Sequence, residues 1–281
     1  MRNNNKSNYT VKFTRKALTY ICNHTDINNP ETVKALIASM QVSDGYKKNL
    51  CTAYNTYCKL YNIQWNKPQY RQEAKHIHIP SREKLEMIIA SCGKPFATKL
   101  QLSMETGLRP VELCNLKVKD IDLEQRLVYP TTAKHGSARI LKISQSLQKL
   151  LQEHIIRNNL NPTDKLFKGD ASIYGKVFRH KRNALAKKLQ DPTIQQIRLY
   201  DFRHYFATMT YHKTRDLLFT KQQMGHTKVE TTLIYTQLLS LDDDEWTCKT
   251  AKDLNEATQL IEAGFEYVTE MDGIKLFKKR K

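Results

Sequence analysis

The chain has 281 residues, 40% of them hydrophobic, so it is long enough for two domains with packed cores and is not a disordered polymer. Its net charge of +18 and isoelectric point near 9.6 indicate a polyanionic partner, nucleic acid before an anionic membrane surface. No apolar run reaches the length of a membrane span, and the polar start MRNNNKSN lacks a signal-peptide core. We therefore expect no membrane partner and a cytoplasmic, nucleoid-associated protein.

The positive charge is spread along the chain. Residues 1–80 contain 12 Lys and Arg against 4 Asp and Glu, and the remainder contains 34 against 24. Two basic bodies suit contact with a duplex over a large surface. The six cysteines include no C-x-x-C pair, so we expect reduced thiols rather than disulfides or a zinc site.

The first segment, residues 1–66, has apolar residues at helical spacing, which predicts three to four short helices. Turn and capping residues at 28–30 and 43–45 separate these helices. Residues 67–80 show no clear period, which predicts a linker. The basic residues of the helical segment, taken alone, fit a solvated face as well as a DNA-facing one. They include Lys12, Arg15, Lys16, Lys47 and Lys48.

Downstream of the linker the helical pattern returns. One helix is predicted from about Pro95 to Thr106, ended by Gly107, and another from Pro110 to Leu116. Arg109 lies between them, where the N–H groups of a helix start favour an anion, so it is well placed to meet a phosphate. The alternative is an arginine that pairs with Glu112 to hold the turn.

The middle of the chain predicts a hairpin and then more helices. Residues 126–129 and 138–143 resemble strands, and they flank Lys134-His135-Gly136-Ser137, a pattern typical of a β-hairpin. Residues 144–190 predict helices, of which the later one is basic and suits a DNA-facing role. Its phosphate contacts would set affinity but not sequence choice. Its basic residues include Lys176, Arg179, Lys181 and Arg182.

The segment 199–237 holds an arginine, a histidine and a tyrosine in an order that suits chemistry on a phosphate. Arg203 can fork two hydrogen bonds to phosphate oxygens, and His226 can donate to another. Tyr235 carries a hydroxyl that can attack phosphorus. None of the three is informative alone.

The last segment, residues 242–281, begins with an acidic cluster at 242–245. A helix is predicted over about Thr250–Ala263, followed by a second hairpin with Asp272-Gly273 at its turn. The expected fold class is therefore mainly α with a small antiparallel β-sheet or hairpins. The helical first domain precedes a mixed α and β domain over 81–281.

Two boxes of the sequence resemble those of the tyrosine recombinase (phage integrase) family. Residues 106–116, TGLRPVELCNL, followed by Asp120-Ile121-Asp122, are similar to the first box. Arg203-His204, then Gly225-His226, and then Tyr235 nine residues past that histidine are similar to the second. Two boxes in this order are a specific signal.

The resemblance implies a helical core-binding domain that contacts DNA (1–66), a linker (67–80) and a catalytic domain with a C-terminal tail (81–281). It implies a site-specific recombinase or integrase that cuts and rejoins double-stranded DNA through a 3′-phosphotyrosyl intermediate. Recombinases of this type work as homo-tetramers on paired sites. Neither a cofactor nor a metal ion is implied.

The resemblance also implies roles for single residues. Tyr235 is the nucleophile, and a cationic cradle for the phosphate is formed by Arg109, Arg203 and His226. Lys134, at the hairpin turn, is expected to be the general acid for the leaving oxygen.

Three further residues receive supporting roles. Lys142 is the reserve candidate for the general acid. Glu112 is expected to support the cradle, and His204 is expected to be a buried hydrogen bonder rather than a catalyst.

Tyr200 departs from the family pattern, which has histidine or lysine three residues before the second arginine. In this it resembles a subgroup of archaeal mobile-element integrases. Tyrosine cannot shuttle a proton near neutrality as histidine can. We expect it to orient the phosphate or Tyr235, so that Tyr200→Phe slows cleavage moderately; the nine-residue spacing favours Tyr235 over Tyr200 as the nucleophile.

Two alternatives of different kinds remain at this point. One is a type IB topoisomerase-like enzyme that relaxes DNA by the same chemistry. The other is a DNA-binding protein with impaired catalysis. A covalent adduct with nicked DNA would separate an enzyme from a binder, and strand exchange between two duplexes would separate a recombinase from a topoisomerase.

Overall fold

The structure is a computed structural model that describes residues 7–71, 77, 79–132, 136–236, 246–271 and 273–280. The chain divides into two compact units, Met1–His76 and Ile77–Lys281. Over the described residues, no helix combines the length and the apolar character needed to cross a membrane. All six cysteines are free thiols.

The first unit is helical, as its apolar spacing predicts. Each helix begins at a polar side chain that accepts from backbone N–H groups of the first turn, namely Ser7, Asn29 and Ser43. In the described part of this unit the helices are α1 (Asn8–His24), α2 (Pro30–Ser39) and α3 (Asp44–Tyr61).

The core of the first unit forms where the three helices meet. Ile21, Ile37 and Tyr54 are fully buried, and the Tyr54 hydroxyl donates to the backbone carbonyl of Ile27 at 2.9 Å. The ring of Trp65 packs edge-on against Tyr54, 4.7 Å between centroids. Tyr70 also packs against this core. It belongs to residues 67–80, which the sequence assigned to a linker, so part of the predicted linker packs on the first unit.

The second unit has helices around a small sheet. Its described helices are α4 (Arg82–Ala90), α5 (Lys94–Thr106), α6 (Pro110–Asn115), α7 (Gln145–Arg157), α8 (Ala171–Leu189), α9 (Pro192–Gln196), α10 (Asp201–Thr214), α11 (Leu217–Met224), α12 (Glu230–Leu233) and α13 (Leu254–Glu262). Helix α5 packs against α4, α7 and α10. This places the ends of α5 and α10, which carry the two boxes, next to each other.

A three-stranded antiparallel sheet follows α6 in the described part of the chain. Its strands, in the order β1-β2-β3, are β1 (Ile121–Asp122), β2 (Leu127–Val128) and β3 (Leu141–Lys142). The pairing of β2 with β3 confirms the predicted hairpin, although each strand has two residues and β1 was not predicted. Residues 133–135 of its turn, including Lys134, lie outside the described residues.

The C-terminal segment forms a second antiparallel sheet, with helix α13 connecting its first two strands. The strands are β4 (Trp246–Ala251), β5 (Glu266–Met271) and β6 (Ile274–Arg280), in the order β4-β6-β5. The hairpin of β5 with β6 is as predicted, but the helix begins at Leu254 rather than near Thr250. Thr250 instead belongs to β4, which was missed because its pairing partner lies 26 residues away, at Leu276. The acidic cluster at 242–245 lies outside the described residues.

Gly107 ends α5 in the left-handed conformation, with φ of +58°, and a Cβ there would collide with the ring of Phe206 on α10. We expect Gly107→Ala to lower the free energy of unfolding by about 2–4 kcal/mol, from the left-handed backbone and the overpacking together. Urea denaturation measures this. Gly93→Ala is the control, because Gly93 has a φ of −65° and a methyl group added there would meet nothing within 4 Å; an equal loss in both variants would contradict the argument.

Candidate active site

Arg203 is one of the deeply buried residues of the predicted site. It lies in the first turn of α10 and is 2% exposed. Its Nη1 donates to the Gly107 carbonyl and its Nη2 to the Met224 carbonyl, both at 2.5 Å. One guanidinium thus joins the ends of α5 and α11. Burial lowers the pKa of Arg203 to about 10, so it stays cationic near neutrality.

Arg109 approaches the same place from the first box. It precedes α6, as predicted, and its side chain is 23% exposed. Its Nη1 donates to Oε1 of Glu112 at 2.8 Å, and its Nη2 lies 3.5 Å from the carbonyl oxygen of Gly225. The pairing with Glu112 was the alternative to phosphate contact. The structure has that pairing and also brings the arginine to the second box, so the two interpretations are compatible.

Arg139 was not predicted, yet it belongs to the same cluster. Its side chain is fully buried, and its Nη2 donates to Oε2 of Glu112 at 2.6 Å. Among the described residues, its Nε and Nη1 have no hydrogen-bond partner, and neither has Nε of Arg203. A Cβ at Gly225, which has a φ of +61°, would meet Nη1 of Arg139 at 2.7 Å. The glycine before His226 therefore makes room for a third arginine.

Glu112 is the counter-ion of this cluster. Burial alone would raise its pKa, but the hydrogen bond and charge of Arg139, followed by the backbone and side-chain hydrogen bonds from Arg109, lower the pKa to about 2. A buried carboxylate is tolerated only with such compensation. The predicted supporting role of Glu112 thus has a physical basis, since it fixes two guanidiniums at once.

We expect Arg139→Met to lower the free energy of unfolding by about 3–5 kcal/mol at neutral pH, because it removes one of the charges that compensate buried Glu112. A carboxylate with a lowered pKa stabilises the folded state above its ordinary pKa of 4.5 and loses that effect as the pH falls towards about 2. Denaturation from pH 7 to pH 2 should therefore show the difference from the parent shrinking below pH 4.5. A difference that does not change over that range would mean that Glu112 is not the partner that matters.

His226 lies two residues after the end of α11 and is 8% exposed. Its Nε2 is 3.1 Å from Nη2 of Arg203, and its Nδ1 is 3.0 Å from the hydroxyl of Thr232. Burial, and then the charges of Arg203, Arg109 and Arg139, lower the pKa of His226 to about 4. Burial and the arginine charges thus disfavour the cationic form of His226 in this structure, and its part in a cradle for the phosphate stays a prediction.

Tyr235 follows α12 and is 2% exposed, packed against Ala207, Met224 and Phe206. Its hydroxyl is 3.0 Å from Nδ1 of His204. Burial raises the pKa of the phenol, while the charge of Arg203 and, more weakly, that of Arg109 oppose the rise.

Tyr200 precedes α10 and is 40% exposed. Its ring lies edge-on to that of His204, 5.1 Å between centroids. The reserve lysine, Lys142, is exposed on β3. Lys134 lies outside the described residues, so its role as general acid stays a prediction.

The predicted DNA-facing residues differ in whether their charged groups are hydrogen-bonded within the protein or exposed to solvent. In the first unit, the ammonium group of Lys47 donates to the Ala38 carbonyl at 2.8 Å, which ties it to the end of α2. On α8, Nη1 of Arg182 donates to the Ile197 carbonyl at 2.6 Å, so this arginine fastens the segment before α10. The remaining candidates are exposed to solvent. These are Lys12, Arg15, Lys16, Lys48, Lys176, Arg179 and Lys181.

Comparison with known proteins agrees with this geometry. The profile of the Phage integrase family matches residues 77–241. The tyrosine recombinase XerA of Saccharolobus solfataricus is 30% identical over 197 residues, which cover 68% of this chain and 62% of that protein. A tyrosine recombinase of Pseudothermotoga lettingae is 26% identical over 178 residues, covering 61% of this chain and 59% of that protein. The matched part thus spans less than two thirds of either relative.

Solved structures share the fold. The Tn1549 transposon integrase, in a complex with a circular intermediate DNA, superposes with a TM-score of 0.65 at 16% identity, over 93% of this chain and 96% of that one. A crystal structure of XerA recombinase gives a TM-score of 0.51 at 22% identity, over 85% and 91%. The mainly helical fold with small antiparallel sheets is therefore that of tyrosine recombinases. With its family profile matching more than half of its length and both boxes meeting in one cluster, the chain belongs to the phage integrase family.

Proposed function

We propose that the protein is a site-specific tyrosine recombinase that cuts and rejoins double-stranded DNA through a 3′-phosphotyrosyl intermediate. The observation that carries the proposal is a single cluster. In it the Tyr235 hydroxyl lies 3.0 Å from His204, the residue after Arg203, while Arg203 contacts His226 at 3.1 Å and Arg109 reaches the Gly225 carbonyl at 3.5 Å. A phosphodiester resists nucleophiles because it is anionic. A cluster with more guanidiniums than carboxylates can stabilise the negative charge on the phosphate oxygens during the reaction.

In the proposed reaction, the unpaired N–H groups of the arginines donate hydrogen bonds to the non-bridging oxygens of the scissile phosphate. Nε of Arg203 is buried and has no partner among the described residues, so it can donate to such an oxygen without giving up its bonds to the Gly107 and Met224 carbonyls. Removal of one such donor costs about 3 kcal/mol of transition-state stabilisation. The bond formed by Tyr235 retains the energy of the phosphodiester, so a 5′-hydroxyl can reverse the step on another strand.

We propose further that both units contact the duplex, the first through Lys12, Arg15, Lys16 and Lys48 and the second through α8. The exposed lysines and arginines of α8 would set affinity rather than sequence choice. Assembly as a tetramer on paired sites and a cytoplasmic location on the nucleoid belong to the same proposal. The XerA and XerC names among the relatives suit a recombinase of this kind.

The test is a nicked suicide duplex, which loses a short strand after cleavage and traps the adduct. We expect a covalent protein–DNA species whose labelled peptide contains Tyr235. Two duplexes with different labels should then exchange strands, whereas relaxation of supercoiled DNA without exchange would indicate a topoisomerase. Binding without any adduct would indicate a protein that has lost catalysis and would refute the proposal.

A further inference from the structure

The hydroxyl of Tyr235 already touches a second histidine, His204. The separation between the phenolic oxygen and Nδ1 of His204 is 3.0 Å, within the reach that proton transfer requires. Among the described residues, His204 is the hydrogen-bond partner of the Tyr235 hydroxyl. The rest of the tyrosine ring is enclosed by the apolar side chains of Ala207, Met224 and Phe206.

The direction of this hydrogen bond follows from the two protonation states. Burial lowers the pKa of His204, and the charges of Arg198 and Arg203 lower it further against the opposing effect of Asp201. The imidazole is therefore neutral near pH 7. Burial raises the pKa of the Tyr235 phenol, so the phenol keeps its proton. The phenol thus donates and Nδ1 accepts, which places the imidazole hydrogen on Nε2.

The other histidine of the cluster is not placed for this task. Both ring nitrogens of His226 are engaged, Nε2 with Arg203 at 3.1 Å and Nδ1 with Thr232 at 3.0 Å. Tyr200 is the residue just before α10, one turn ahead of His204, and its ring contacts the imidazole edge-on.

We propose that His204 is a catalytic residue, the general base that accepts the phenolic proton at Nδ1 while Tyr235 attacks phosphorus. As the bond from the phenolic oxygen to phosphorus forms, the bond from phosphorus to the 5′ oxygen breaks, and that oxygen takes a proton from a lysine ammonium group, the role predicted for Lys134. In the reverse step the lysine amine takes the proton of the attacking 5′-hydroxyl, the phenolate leaves, and His204 returns its proton to it. The inference rests on the proposed function and adds a residue to it.

The geometry favours this role because one helix, α10, carries both the proposed base and the phosphate-binding arginine. His204 follows Arg203 directly on α10, and Arg203 is held by the Gly107 and Met224 carbonyls. The base and the phosphate-binding group therefore keep a fixed separation. A phosphate anion bound at Arg203 would also stabilise the imidazolium that forms, because it opposes the arginine charges that disfavour it.

The test compares the parent with His204→Asn and His204→Ala in single-turnover cleavage of the suicide duplex at saturating protein. Asparagine places an acceptor near the position of Nδ1 but is not a base. We expect both variants to bind the duplex as the parent does and to cleave about 100-fold more slowly. If His204→Asn cleaves at the parent rate, the histidine only positions the tyrosine and the proposal is wrong.

Two further measurements separate a base from other roles. Between about pH 6.5 and 9 the parent rate should level off, whereas the rate of His204→Asn should keep rising as solvent ionises the phenol. The groups that face His204 are Tyr200, Asp201, Arg198, Arg203 and Tyr235, so the matched variant Tyr200→Phe reports whether Tyr200 contributes to the profile. A profile of His204→Asn that matches the parent would contradict the base role.

The leaving group provides the last distinction. A 5′-bridging phosphorothiolate needs no proton on departure, so it should not restore cleavage by His204→Asn. Restored cleavage would mean that His204 protonates the leaving oxygen and would overturn the proposal. A fluorinated, more acidic tyrosine at position 235 should restore part of the rate. If the parent itself forms no adduct at Tyr235, the proposed function fails; if the parent forms it and the His204 variants cleave normally, this inference alone fails.

Discussion

Replacement of Tyr235 by phenylalanine is expected to abolish the covalent adduct with DNA and to leave duplex binding unchanged. The substitution removes the attacking oxygen and keeps the ring that packs against Ala207, Met224 and Phe206. The lost hydrogen bond to His204 should cost only about 1 kcal/mol of folding free energy. A gel that resolves free from protein-linked DNA measures the first effect, and equilibrium binding at fixed salt measures the second.

Tyr200 is the matched control, because it is a second tyrosine beside His204 and is 40% exposed. Tyr200→Phe should retain the adduct at a moderately lower rate. The assignment would be reversed if the adduct survived in Tyr235→Phe and disappeared in Tyr200→Phe. Peptide mapping of any residual adduct decides between the two tyrosines.

Arg203→Lys is expected to lower the cleavage rate about 10³-fold and the free energy of unfolding by about 2–5 kcal/mol. A lysine ammonium cannot reach both the Gly107 and Met224 carbonyls, so a buried backbone acceptor is left without a partner. It also cannot offer a further donor in the direction of Nε. The two losses are expected together, because the same guanidinium serves the fold and the phosphate.

Single-turnover cleavage and urea denaturation of the same preparation measure the two effects. Arg198→Lys is the control, because Arg198 lies near the start of the same helix, is 62% exposed in its side chain and pairs with Asp201 at 3.0 Å. Arg198→Lys keeps a cation opposite the Asp201 carboxylate, whose side chain is 4% exposed, so we expect it to cost about 1 kcal/mol or less. Full activity and stability of Arg203→Lys would show that a charge alone, without the forked geometry, is sufficient.

Much of the site could be predicted because motif spacing places its residues directly. Arg109 was expected at a helix start, and it lies there, since the flanking glycine and proline fix where α5 ends and α6 begins. The assignment of individual catalytic roles remains a prediction until it is measured.

Arg139 was missed for a physical reason. It lies in an irregular stretch after the hairpin turn, where no period marks a buried side. Its burial depends on Glu112, 27 residues earlier, and on the space left by Gly225. The one available signal was an acidic residue inside an otherwise apolar helix start, which demands more than one positive partner once it is buried. The buried glutamate indicates that a second cation is present but not where along the chain that cation lies.

The contact between His204 and the nucleophile was likewise outside the reach of the sequence. His204 and Tyr235 are 31 residues apart, and their meeting depends on how α11 and α12 fold back onto α10. The sequence indicated a buried hydrogen bonder but could not identify its partner.

The double attachment of Arg203 to two backbone carbonyls constrains how this protein can change over evolutionary time. A lineage that abandoned strand cleavage and survived as a repressor of its own element could discard the Tyr235 hydroxyl at little expense. It could not readily discard the Arg203 fork, because folding itself would suffer. Inactive descendants should therefore be recognised by a substituted phenol beside an intact guanidinium, and the reverse combination should be rare.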